Sequence, residues 1–191
     1  MMMRLTTLAA LVSAAALAGC ATWEPDQPVS TVRTEPTYES ADANNFLASS
    51  QDAIDKLVTT VAPQLAGMGP VLVATVVNVN NMGVSSPLGR TLSEIYANQM
   101  AAHGFDVKEV KLRTDLAVRE GTGELLLSRE MRDIARSQNA SMVLVGTFSP
   151  AATFTYVSLK LVRTEDSRII AGHDYALPND RDVTRMLNTA R

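Results

Sequence analysis

Two nearly unbroken apolar runs limit what this chain can become: VLVATVVNV, Val71 to Val79, and SMVLVGTF, Ser141 to Phe148. Successive side chains of a strand point to opposite faces of a sheet. A run that is apolar on every residue therefore predicts a strand covered on both sides, as in a sheet with helices packed against it. The segments between the runs supply those helices. Leu47, Ile54, Leu57, Val58, Val61 and Leu65 recur on one helical face. Ser40 or Asp42 is placed to cap that helix, and Pro63 is expected to kink or end it. In a second helix, Ser86 and Pro87 read as N-cap and first residue. Leu88, Leu92, Ile95, Tyr96 and Met100 form its buried stripe, and Gly104 is its natural stop. A third is expected from Glu124 to Gln138, with Leu127, Met131, Ile134 and Ala135 inward and Arg129 and Asp133 paired on the outside.

The other strands have a different texture. FDVKEVKL, Phe105 to Leu112, alternates with period two, as a half-exposed strand does. TFTYVSLKLV and RIIAGHDYAL also alternate, on either side of Glu165-Asp166-Ser167, and read as a hairpin. Asp180 is placed to cap a short last helix carrying Val183, Met186 and Leu187. The order α-β-α-β-α-β-β-β-α predicts a single domain of the α/β (α+β mixed) class, with a mixed four- to five-stranded sheet packed by helices.

The single cysteine lies far from these elements. Arg4, the apolar Leu5 to Ala16, and the small residues that follow have the layout of an export signal. From Leu5 to Gly19 is 15 residues, short of the roughly 20 that cross a bilayer. Leu17-Ala18-Gly19-Cys20 resembles a bacterial lipobox. That resemblance implies cleavage between Gly19 and Cys20, a diacylglycerol on the Cys20 sulfur, acylation of the new amine and, with Ala21 next, an outer-membrane anchor. A thiolate is the nucleophile that can accept the lipid. The expected division is residues 1–19 as signal peptide, 20–42 as lipidated cysteine and flexible tether, and 43–191 as the folded domain. Pro25, Pro28 and Pro36 interrupt the tether, whose first 20 residues after Cys20 reach on the order of 25 Å.

Removing 19 of the 191 residues leaves 172, with 16 basic side chains against 20 acidic ones. A mildly acidic domain lacks the concentrated basic face of a nucleic-acid binder. With Cys20 lipidated, no thiol remains for a disulfide, thiol catalysis or a cysteine-ligated metal.

Candidate chemistry elsewhere is thin. His173 precedes Asp174, but neighbours on a strand face opposite ways, which places the pair badly for proton transfer. His103 falls in the last turn of the second helix, where a donor suits the dipole. No His, Cys and Asp group has zinc spacing. Gly83-Val84-Ser85-Ser86-Pro87 follows a strand and opens a helix, yet Pro87 stands where a nucleophile elbow needs glycine; capping accounts for it. Gly121-Thr122-Gly123 reads as a plain turn in the absence of a P-loop lysine. The expectation is a chain without catalytic, cofactor or metal residues. Its expected partner surface is the start of the second helix with Arg113, Asp115, Arg119 and Glu120, in a loop that the core does not obviously require.

Several segments together resemble the FlgO family of outer-membrane lipoproteins: Ser85-Ser86-Pro87-Leu88-Gly89-Arg90, Glu124 to Glu130, Val143 to Thr147, and His173-Asp174-Tyr175 with Leu177-Pro178. The resemblance covers about Asn44 to Leu187. It implies a non-enzymatic envelope protein that supports the flagellar base and motility, with its domain facing the periplasm, and brings no ligand residues with it. The other class compatible with the layout is a tethered regulator of a different periplasmic machine, such as a peptidoglycan synthase.

Overall fold

The computed structural model describes residues 36–42, 44–65, 69–110 and 129–188. Its elements follow one another as α1 (Tyr38–Asp42), α2 (Asn45–Leu65), β1 (Val71–Ala74), β2 (Val77–Asn78), α3 (Pro87–Ala102), β3 (Val107–Val110), α4 (Arg129–Ser137), β4 (Met142–Pro150), β5 (Phe154–Arg163), β6 (Ile169–Pro178) and α5 (Arg181–Leu187). The strands form one mixed sheet in the order β3-β1-β4-β5-β6, with β2 also paired to β4. β1 runs parallel to β3 and β4, whereas β4, β5 and β6 are antiparallel.

The sheet has six strands, against four to five expected, because the Val71 to Val79 run is not one strand. Val73 pairs with Leu144 and Val77 with Thr147, so four steps on one side oppose three on the other. One extra residue makes this a bulge. At the break the Val76 N–H leaves the sheet and donates to Ser93 Oγ in α3 at 2.8 Å. The helix can come so near because residue 89 has no side chain: a Cβ there would stand 2.0 Å from the Val76 carbonyl oxygen.

Most helix signals act as read. Ser86 Oγ accepts the Gly89 N–H at 3.0 Å, and Gly104 has a φ of +84° just past the end of α3. Asp180 Oδ1 accepts the N–H groups of Asp182 and Val183. The first long helix differs. Its cap is Asn44, whose Oδ1 accepts the Phe46 N–H at 2.8 Å; Ser40 and Asp42 lie in α1 instead, within the stretch expected as tether. Leu47 is 41% exposed, and Ser50 occupies the buried face with Ala53, Ile54 and Leu57. The helix continues two residues past Pro63.

β3 is shorter than Phe105 to Leu112, and Lys111 and Leu112 lie outside the described residues, as do positions 124–128 of the third helix. The side chain of Arg129 is also outside them; Asp133 stands 3.9 Å from Arg136.

One face of the sheet packs under α2, α3 and α5, where Leu144, Phe148, Leu159 and Leu161 meet Ile54, Leu57, Leu92, Tyr96 and Val183. On the other face Leu72, Ala74, Val143 and Val162 pack with Ala135 and Ala140, the first of these in α4. Among the described residues, only part of that second face is covered. The nine described residues of α4 rise about 13 Å, while the nine of β4 extend about 30 Å. β1 is buried on every residue, as its sequence predicts. β4 is buried on successive residues only from Met142 to Leu144 and alternates beyond, with Val145, Thr147 and Ser149 half-buried.

Candidate binding face

The half of the sheet that α4 leaves open is a regular array of side chains fixed by strand register. Ser149, Tyr156 and Ala176 form one row across β4, β5 and β6, and Thr147, Ser158 and Asp174 form the next. Phe154 opposite Pro178 closes one end. Val79 flanks the array, held where its N–H donates to the Phe148 carbonyl at 3.0 Å. Val79 and the two rows line an open cleft of about 580 Å³, with Phe154 and Pro178 beyond its end. Tyr156 is 56% exposed and Phe154 42%. Among the described residues, the side chains of Thr147, Ser149, Tyr156, Ser158 and Asp174 make no hydrogen bond or ion pair. Among the described residues the buried hydroxyls elsewhere are engaged: Ser50, Ser86, Ser93, Thr155 and Thr164 each bond a backbone or side-chain partner.

The opposite face carries a polar chain inside the core. Tyr96 Oη lies 2.6 Å from Tyr175 Oη, Tyr175 Oη donates to Ser50 Oγ at 3.2 Å, and Ser50 Oγ donates to the Phe46 carbonyl at 2.7 Å. With Tyr175 and Ser50 both donating onward, Tyr96 is the donor at the head of the chain. Burial pushes both phenols above their ordinary pKa. They stay protonated near neutrality, and the chain ties α2, α3 and β6 together.

Near the end of α3, Asp55 Oδ1 of α2 receives Gln99 Nε2 at 2.6 Å and lies 2.7 Å from His103 Nε2. The bonds from His103 and then Gln99 hold this carboxyl below the usual carboxylate range. His173 and Asp174 part as expected. His173 stands opposite Leu159 on the helix-covered side of the sheet, and Asp174 stands opposite Ser158 on the open side. Ser86 is occupied as a cap, and Ser85 Oγ lies 3.2 Å from the Arg90 guanidinium. Cys20, Arg113, Asp115, Arg119, Glu120 and Gly121-Thr122-Gly123 lie outside the described residues. Among the described residues no group of His, Cys, Asp or Glu is placed to hold a metal, and no helix is long and apolar enough to cross a membrane.

The open face was not singled out by the sequence, although a signal for it is there. In TFTYVSLKLV the aromatic Phe154 and Tyr156 share a phase with Ser158 and Lys160, the outward one, and not with Val157 and Leu159.

The model of the FlgO protein family matches residues 51–182. The chain belongs to the FlgO family. The match lies inside the span over which the sequence resembles that family. No curated protein sequence matches the chain. Solved structures similar to this FlgO-family chain include the LpoB C-terminal domain from Escherichia coli, at 19% identity over 70% of this chain and 98% of that one, with a TM-score of 0.47. A PelC dodecamer from Paraburkholderia phytofirmans is similar at 19% identity over 58% of this chain and 71% of its own, TM-score 0.41. The lipoprotein GNA1162 from Neisseria meningitidis is similar at 12% identity over 62% and 90%, TM-score 0.39.

Proposed function

We propose that this chain is an outer-membrane-anchored envelope lipoprotein that works by binding another periplasmic machine and not by catalysis. The observation that carries the reading is the family match over residues 51–182. The lipobox-like Leu17 to Cys20 ahead of it agrees with an envelope lipoprotein. In this reading the lipid on Cys20 confines the domain within a tether's reach of the membrane. Confinement raises its effective concentration near partners, so weak contacts suffice. Arg113, Asp115, Arg119 and Glu120, with the start of α3, supply the contact to the partner.

Regulation of a machine such as a peptidoglycan synthase stands first, because an anchor and one contact surface suffice for it. A structural component of the flagellar base must in addition join the other parts of that assembly. The flagellar reading keeps its place through the family resemblance. Deleting the gene separates them: altered wall crosslinking with normal swimming supports the regulator, and impaired swimming with a normal wall supports the flagellar base. Mass spectrometry should find an acylated Cys20 at the mature N-terminus. A Cys20→Ala protein that still partitions with membranes would remove the anchor from the reading.

A further inference from the structure

We propose that the open face of β4, β5 and β6 binds a neutral, hydroxyl-rich saccharide chain. A pyranose ring has an apolar face of C–H groups and a rim of hydroxyls. It is recognised by an aromatic side chain with hydrogen-bonding groups around it. Tyr156 supplies that platform, with more than half of its surface free. Its row places Ser149 on one side, and the neighbouring row adds Thr147, Ser158 and Asp174. The three aliphatic hydroxyls both donate and accept, and the carboxylate accepts. None of them is engaged within the described residues.

The lining selects the chemistry. It contains no Lys, Arg or His. Lys160, on the same face, stands one row beyond Ser158 opposite Gly172 and balances Asp174, so the face carries no excess positive charge for a phosphate or carboxylate ligand. Asp174 adds one negative charge, which suits a hydroxyl donor and repels an anion. A docking helix or apolar peptide segment would seek a groove of contiguous apolar side chains. Here four hydrogen-bonding residues surround Tyr156, and Phe154 offers a second exposed ring two residues before it on β5, with Val79 and Ala176 at the margins. The cleft of about 580 Å³ is open, so a polymer can enter and leave past the bound unit. A cell-wall glycan and the sugars of an outer-membrane surface share this chemistry. The site stands apart from the question of which machine the anchored domain serves.

The test is an amide-shift titration of the full chain with a β-1,4-linked N-acetylglucosamine tetramer and with maltotetraose. Shifts are expected at Thr147 to Ser149, Tyr156 to Ser158 and Asp174 to Ala176. Tyr156→Ala should weaken binding about tenfold or more by removing the platform. Ser158→Ala, which keeps the platform, should weaken it about threefold by removing one hydrogen bond. Both variants should melt like the parent chain, since the two side chains are not part of the core. Competition by purified wall sacculi or by outer-membrane saccharide vesicles then identifies the source. Saturating saccharide that moves no resonance on this face overturns the site. So does an unchanged affinity in a folded Tyr156→Ala protein, or a peptide that takes this face where saccharides do not.

Discussion

Beneath α2 and α3 the strands β4 and β5 present Leu144, Phe148, Leu159 and Leu161, all buried, while the same strands turn Thr147, Ser149, Tyr156 and Ser158 to an open face beyond α4. The backbone and register are common to both faces. What differs is the covering element, so burial here is decided by helix placement more than by strand chemistry. The apolar side specifies the fold, and the open side is free to specify a ligand.

The largest expected effect is on the covered side. Leu144→Ala should cost about 2–5 kcal/mol, because it removes methyl groups from a closely packed core. Tyr156→Ala on the open face of the same sheet should change stability by no more than about 0.5 kcal/mol. Paired urea melts check the contrast, and equal costs would break it.

The polar chain within the covered side gives a smaller and directional effect. Tyr175→Phe leaves the buried Tyr96 hydroxyl without its acceptor and should cost about 1–3 kcal/mol. Tyr96→Phe leaves Tyr175 still donating to Ser50 and should cost less, about 0.5–1.5 kcal/mol. The reverse order would mean that the proton runs the other way along the chain.

The smallest effect concerns pH. The carboxyl of Asp55 titrates below its unfolded value of about 3.9 because His103 and Gln99 hold its charged form. A lowered folded pKa gives stability that is present above the unfolded value and lost as pH falls through the folded one. The side chain is 46% exposed, so water screens the gain, and Asp55→Asn should cost no more than about 0.5 kcal/mol near neutrality. Thermal melts across pH should show that difference vanishing once the carboxyl is protonated. A difference that grows in acid would contradict the clasp.

Legibility followed the range of the interactions. The caps at Ser86 and Asp180, the turn before Arg168 and the alternation of β5 and β6 are local chemistry, and each was readable from neighbouring residues. The break at Val76 was not, because the oxygen that draws its N–H from the sheet belongs to Ser93, 17 residues on. Leu47 was assigned inward because the true buried phase runs through Ser50, a polar residue whose hydroxyl is satisfied by Phe46 and Tyr175. The second half of β4 carried its own warning in Thr147 and Ser149, which alternate where Val143 to Val145 do not. Of the open face, the alternation was legible but not the extent of its cover, since the sequence does not state how far α4 reaches across the sheet.

The hydroxyl chain also bears on the timing of folding. Its members stand at positions 50, 96 and 175, so the last link spans 125 residues. As synthesis proceeds from the N-terminus, α2 and α3 exist long before β6 does, and contacts of such separation form late. A polypeptide interrupted after β5 keeps the seats of two hydroxyls and lacks the third. The final hairpin strand thus acts as a completion signal, and a protease meeting the chain before that strand docks faces a Tyr96 hydroxyl still without its acceptor, while Ser50 is already bonded within its own helix.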